Sequence, residues 1–218
     1  PMHYMKESFG YLVFCDSMDM INDRSMYSWM SRLNQNIEKF RQSKRLELLN
    51  SKLNELYTKD SLTDLFNRFG IDMNAIPLYK ELCAREERCI VLFADINRMK
   101  QINDRYGHLQ GDLAIHAVAN AIKNSVPGEW ITIRYGGDEF LAIGKCNDTA
   151  SADTVKQKIE SSLEEMAVHM SLPYPLTVSI GYQLTEPDSG RELIDYINTA
   201  DEEMYLCKQE MHRLEDKC

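Results

Sequence analysis

Two strand-like runs, Trp130-Ile131-Thr132-Ile133 and Phe140-Leu141-Ala142-Ile143, flank Arg134-Tyr135-Gly136-Gly137-Asp138-Glu139. So short a connection joins only antiparallel neighbours, so any fold for this chain must contain a hairpin turning at Gly136-Gly137. Glycine there is expected to supply positive φ, and its bare backbone lets a bulky ligand approach closely. Two acids leave the turn, and alternation along a strand sends Asp138 and Glu139 to opposite faces. Taken alone, the string fits a solvated hairpin tip as well as a site.

A second constraint is Cys89 to Ile96, a continuous apolar run rich in β-branched and aromatic residues, as a strand covered on both faces requires. Asp95 interrupts it near its end. A buried carboxylate is costly unless hydrogen-bonded, paired or liganding a cation, so this acid needs a partner. Asn97 is placed to cap a following helix that carries Lys100, Asn103 and Asp104. The loop Tyr106-Gly107-His108-Leu109-Gln110-Gly111-Asp112 then opens a helix with a core stripe of Ile115, Val118, Ala119 and Ile122.

Around these pieces the pattern predicts a helix from about 73 to 87 and a turn at Pro127-Gly128. It continues with an amphipathic helix over 151–170, a strand over 176–183, and a last helix from about Arg191 that carries Lys208. Helix, strand, two helices, hairpin, helix, strand, helix is an α+β order: a mostly antiparallel sheet covered by helices, with a long helix ahead of it.

That long helix spans 21–58, where no proline or glycine stops it. Met26, Met30, Leu33, Ile37 and Phe40, then Leu46, Leu49, Leu53 and Leu56, recur at a/d spacing, the seam of a two-stranded coiled coil. The step from Phe40 to Leu46 is one residue short of a heptad, so the seam slips there. Residues 1–20 hold one strand-like run, Tyr11-Leu12-Val13-Phe14-Cys15, with no local partner, and read as the remnant of an upstream domain or a dimer contact. The expected organisation is thus 1–20, a signalling helix over 21–58, and a catalytic domain over 59–218.

Composition narrows the function. A net charge of −9 and a pI near 5.1 deny the chain the basic face a general nucleic-acid binder needs, although an acidic protein can bind a single nucleotide through a metal. The six cysteines form no Cys-x-x-Cys, which points to reduced thiols in the cytoplasm, and no apolar run is long enough to cross a bilayer. If the Asp95 strand lies beside the hairpin, Asp95 and Asp138 converge at one end of the sheet. There they can hold Mg²⁺ through hard oxygen ligands and leave its other positions to phosphates and water. Such a site suits phosphoryl or nucleotidyl transfer. The loop 96–99, at a helix N-terminus, would aim amides at phosphates, with Lys100 and Lys208 adding charge. Asn103 and Asp112 together complement a guanine edge; singly each reads as a turn or cap residue.

Four ordered segments, Asp60 to Gly70, Asp95 to Asp104, Tyr106 to Asp112 and the hairpin, resemble the GGDEF family of diguanylate cyclases from about residue 59 to 213. The resemblance implies condensation of two GTP molecules to cyclic di-GMP with release of two pyrophosphates, each GTP held by one protomer of a face-to-face dimer. It implies that Asp95, the carbonyl of Ile96, Asp138 and Glu139 hold Mg²⁺ or Mn²⁺, with Asp138, Glu139 and Asp95 as the catalytic acids. By the same likeness Gly136 and Gly137 make room for GTP. Asn103 and Asp112 read the base, Lys100 and Lys208 meet the phosphates, and Met99 belongs to the substrate-binding set. An aspartate at 112 favours guanine, whose N1–H and 2-amino group it can accept from; adenine offers no such pair. The partners so implied are GTP, a second copy meeting this one through the long helix and the catalytic face, and an upstream sensor domain, with no nucleic acid and no membrane contact by this piece.

Several positions depart from the family pattern. Asn97 stands where a second Asp is usual, Met99 where Phe is, and Asp64 where Gly is. Met211-His212-Arg213 replaces a Gly-Arg or Gly-Lys pair. The inhibitory Arg-x-x-Asp falls on Pro127-Gly128-Glu129-Trp130 and is absent, so no product inhibition is expected at that site. A GTP-sensing module that binds without cyclising, and a pure dimerisation scaffold, are the competing readings; the scaffold leaves most of these polar residues without a purpose.

Overall fold

A computed structural model describes residues 2–4, 7–10 and 24–215, with side chains for 27–54, 57–211 and 213. The chain divides into two compact units, residues 1–56 and 57–218. In the first, strands β1 (Met2–Tyr4) and β2 (Glu7–Gly10) pair antiparallel, a hairpin the sequence pattern did not announce. The strand expected at Tyr11 to Cys15 lies outside the described residues. Helix α1 (Arg24–Thr58) runs without a break. Phe40, Leu46, Leu49 and Leu53 of its seam stand exposed, 47–64 % of their surface open, so among the described residues this part of the stripe has no cover.

The second unit is a four-stranded antiparallel sheet, β3 (Cys89–Ile96), β4 (Ile131–Arg134), β5 (Glu139–Lys145) and β6 (Val178–Leu184), in the order β4-β5-β3-β6. Every residue of β3 is buried, as its unbroken apolar character demands. Its even-numbered side chains, Ile90, Leu92, Ala94 and Ile96, pack with α4 (His108–Ser125) and α5 (Thr149–His169). Its odd-numbered ones, Cys89, Val91 and Phe93, pack with α2 (Ile76–Ala84) and α6 (Leu193–Glu215). The parity of one strand thus assigns Asp95 to the α6 side. A π-helical turn, Ile71–Ala75, precedes α2, so that helix begins later than its apolar spacing predicts. Close approach of α6 to β6 depends on Gly181, where a Cβ would stand 2.2 Å from the Met204 nitrogen and 2.3 Å from the Ala200 carbonyl oxygen.

Helix α3 (Met99–Tyr106) corrects one expectation. Its N-cap is Arg98, in the left-handed region at φ 57°, and Asn97 does not cap it. The Asn97 amide instead donates to Thr177 Oγ1 at 3.1 Å and accepts from Ser179 Oγ at 2.8 Å, tying the end of β3 to the start of β6. Among the described residues, Cys83, Cys89, Cys146 and Cys207 are unpaired thiols, and burial pushes Cys89 up to about 12. Among them, too, no helix is long and apolar enough to cross a membrane.

Candidate active site

The residues leaving α1 are tied to β4 beside the site. Asn67 donates its side-chain amide to the Tyr57 and Lys59 carbonyls, and Phe66 exchanges backbone bonds with Thr132 and Arg134, laying the entry segment along β4. Asp60 accepts from Thr63 and, through both oxygens, from Arg134 Nη1 at 3.0 and 3.2 Å. Burial pushes the Asp60 carboxyl up, but the Thr63 and Arg134 bonds outweigh it and hold the group below its usual value. The other nitrogens of Arg134, Nε and Nη2, donate to the Gly137 carbonyl at 3.2 and 2.8 Å. One guanidinium therefore fastens the catalytic turn to the exit of α1. Asp64, at the position where glycine is usual, sits at φ 59°, a left-handed conformation that aspartate tolerates better than most residues.

The turn differs from expectation in its backbone. Neither Gly136 nor Gly137 has positive φ; the described glycines that do are Gly107 and Gly190. What Gly136 supplies is room: a Cβ there would lie 2.4 Å from Glu139 Oε2. Nothing stands within 4 Å of a Cβ at Gly137, so that residue presents open backbone at the mouth of the site.

Between the turn, α3 and α4 lies a cleft of about 420 Å³. Met99, Lys100, Asn103, Asp112, Gly137 and Asp138, all anticipated, line it together. Asp104, His108, Ile115 and Arg134 line it as well and were not anticipated as site residues; only the i, i+4 spacing of Lys100 with Asp104 and of His108 with Asp112 hinted at their position. Gly111 has an unforeseen part too: a Cβ there would stand 2.0 Å from Asn103 Oδ1, so only glycine lets the Asn103 amide lie against α4. A hollow of about 490 Å³ beside β6, lined by Asp153, Lys156 and Tyr182 among others, gathers none of the anticipated residues.

The acids collect at the adjoining end of the sheet. Asp95 stands across from Glu139 on β5 and from Ser179 on β6, and the Ile96 N–H donates to the Asp138 carbonyl at 3.1 Å. Asp95 is only 6 % exposed. Burial pushes its carboxyl up, the Lys208 ammonium pulls it back, and the charges of Asp138 and Asp201 push it further up. Glu139 is also raised, by burial first and then by Asp95, Asp138 and Asp201. Asp201, two helical turns before Lys208 on α6, was not anticipated. Lys208 Nζ donates to Asp95 Oδ1 at 2.5 Å, so the lysine expected at phosphates instead holds the expected metal acid. Arg213 is exposed, and the side chain of His212 lies outside the described residues.

This donor set fits a divalent cation completed by its substrate. Among the described residues no three His, Cys, Asp or Glu side chains converge closely enough to hold a metal alone. Two hard carboxylates, with a main-chain carbonyl at Ile96, leave positions for phosphate oxygens and water, as Mg²⁺ sites in phosphoryl chemistry do. The excess of negative charge around Asp95 is the electrostatic reason a cation would be favoured there.

Residues 57–213 match the family model "Diguanylate cyclase, GGDEF domain". The chain is 30% identical over 161 residues to the bifunctional diguanylate cyclase/cyclic di-GMP phosphodiesterase MucR of Pseudomonas aeruginosa, covering 74% of this chain and 23% of that protein. It is 26% identical over 215 residues to diguanylate cyclase A of Treponema denticola, covering 96% and 56%. The chain thus spans about a fifth to just over half of the length of these and other curated relatives it matches. Among solved structures it is similar to the GGDEF domain of DgcB from Caulobacter crescentus in complex with c-di-GMP, at TM-score 0.64 and 26% identity over 70% of this chain and 91% of that one. The coiled coil and GGDEF domain of the same protein matches at TM-score 0.69 and 24% identity, over 84% and 95%, a likeness of fold.

Proposed function

The chain belongs to the GGDEF diguanylate cyclase family, and from that premise we propose that it condenses two GTP molecules into cyclic di-GMP and two pyrophosphates, with Mg²⁺ or Mn²⁺, at the interface of two copies of the domain. The observation that carries the proposal is that six residues from three separate sequence segments, Met99, Lys100, Asn103, Asp112, Gly137 and Asp138, line one cleft beside the buried acid Asp95.

In this reading Asn103 and Asp112 orient the base. Gly111 holds Asn103 in place by its lack of a side chain, and Asp112 selects guanine by accepting from N1–H and the 2-amino group. The open backbone at Gly137, kept in position by Arg134, lets the triphosphate lie close to the turn, with Lys100 adding positive charge at the cleft wall. Asp95, Asp138 and the Ile96 carbonyl would hold the metal, whose charge would neutralise the phosphates and polarise the bond to pyrophosphate. Glu139, raised by burial and by neighbouring acids, is a better proton acceptor than an exposed carboxylate and takes the proton from the 3′-hydroxyl as it attacks the α-phosphate. The electron pair of the broken bond leaves with pyrophosphate. One cleft holds one GTP, so closing the ring requires a second copy facing the first.

Incubation with GTP and Mg²⁺, followed by chromatography, tests the reading. Cyclic di-GMP and pyrophosphate are expected from the native chain and neither from Asp138→Ala. GTP bound but unchanged at high protein concentration would instead favour a nucleotide-sensing module.

A further inference from the structure

The Lys208–Asp95 bond has a consequence for the order in which ligands arrive. At the end of the sheet the charges of Asp138, Asp201 and Lys208 all act on both Asp95 and Glu139. The Lys208 nitrogen sits 2.5 Å from Asp95 Oδ1, pairing the carboxylate that a metal would need as a ligand. Asp95 has 9 % of its side chain exposed and Lys208 26 %, so the acid is fixed inside while the lysine reaches solvent. An ammonium on a four-carbon stem is the sort of charge that can move by rotamer change alone.

We propose that Lys208 is a resident counter-ion that occupies the metal position of the nucleotide-free domain and leaves Asp95 for the phosphates when nucleotide arrives, so that metal and nucleotide bind as a coupled pair. This rests on the functional reading above, in which Asp95 ligates the metal. Without nucleotide, a divalent cation must break the Lys208–Asp95 pair and leave the ammonium beside it. With nucleotide present, the phosphates provide the ammonium with a new partner and the metal with further oxygens. Because coupling is reciprocal, metal also tightens nucleotide by the same factor.

The test is Mn²⁺ binding to the full chain without nucleotide, followed by electron paramagnetic resonance, in the native protein, Lys208→Met and Lys208→Arg, with thermal melts to confirm that each is folded. An opposite charge a few ångströms away is worth roughly tenfold or more to a carboxylate's preference for its partner. Lys208→Met should therefore bind Mn²⁺ about tenfold more tightly than the native chain, whereas Lys208→Arg, which keeps the charge, should stay within about twofold of it. The affinity of Lys208→Met for a non-hydrolysable GTP analogue should fall. Should Lys208→Met bind Mn²⁺ no more tightly while Asp95→Asn abolishes binding, the counter-ion role is wrong and the metal site stands. If Asp95→Asn leaves Mn²⁺ affinity unchanged, the metal is not at Asp95, and both the site assignment and this inference fall.

Discussion

Arg134 and Asp60 show how an ion pair can matter to a site that only one of its partners lines. With 16 % and 20 % of their side chains exposed, they are shielded enough for geometry to count, and the fork of Arg134 also secures Gly137. Replacing Asp60 by Ala leaves a half-buried guanidinium short of acceptors, and a loss of about 1–3 kcal/mol in a denaturant titration is expected. The pH dependence follows from the lowered Asp60 carboxyl, whose ordinary value is 3.8. A carboxylate with a depressed folded pKa contributes stability above its unfolded value and loses it as pH falls through the folded value. The stability gap between the native chain and Asp60→Asn should be constant near neutrality and close progressively below about pH 4. A gap that widened as the pH fell below 4 would contradict the lowered Asp60 carboxyl. This pair was not legible in the sequence: the partners are 74 residues apart, and a lone Asp and Arg carry no periodic signal. Asn97 was misread for a related reason, since a residue fit to cap a helix is also fit to bond a neighbouring strand. The Gly136-Gly137 turn was located correctly, but its conformation was not, because two glycines permit positive φ without requiring it.

The elements were the most readable level. Cys89–Ile96 was bounded correctly from its apolar run alone, and the helix, strand and hairpin order followed from period and punctuation. Strand parity then carried much of the site. It put Asp95 on the α6 side with Glu139 and left Asp138 facing α3 and α4, as the alternation of the two acids implied. The short hairpin β1–β2 and the π-helical turn before α2 went unread, the first because three- and four-residue strands have too little pattern, the second because its residues suit an ordinary helix equally well. Packing of α6 on β6 gives a sharp test at this scale. A methyl at Gly181 would collide with helix backbone, which cannot rotate away, so Gly181→Ala should lower stability by about 1–3 kcal/mol. Since α6 carries Lys208, the same change should lower turnover more than its melting point alone accounts for. Unchanged stability would mean that the helix can shift outward freely.

At the scale of the whole molecule two surfaces bear on regulation. The segment where an inhibitory Arg-x-x-Asp would lie has Trp130 in place of the acid, 7 % exposed and packed so closely that a Cβ on Gly144 would meet its ring at 2.3 Å. An indole built into the core offers no carboxylate to a second ligand. Cyclic di-GMP is therefore expected not to slow its own synthesis through this segment, measured as initial rates with added product. A tight complex on residues 57–218, abolished by altering 127–130, would overturn that. The exposed a/d stripe of α1 supports pairing of two copies, and substituting Leu49 and Leu53 by Glu should shift the sedimenting species toward monomer.

In the proposed reaction one cleft holds one of the two GTP molecules, so turnover must depend on the meeting of two copies. The most direct test is the initial rate of cyclic di-GMP formation from GTP and Mg²⁺ across a wide range of protein concentration, with Asp138→Ala as control. The rate per protomer is expected to rise with concentration until dimers saturate, with no product from the variant. A rate strictly proportional to protein down to concentrations where sedimentation shows monomers, or full turnover by Asp138→Ala, would contradict it.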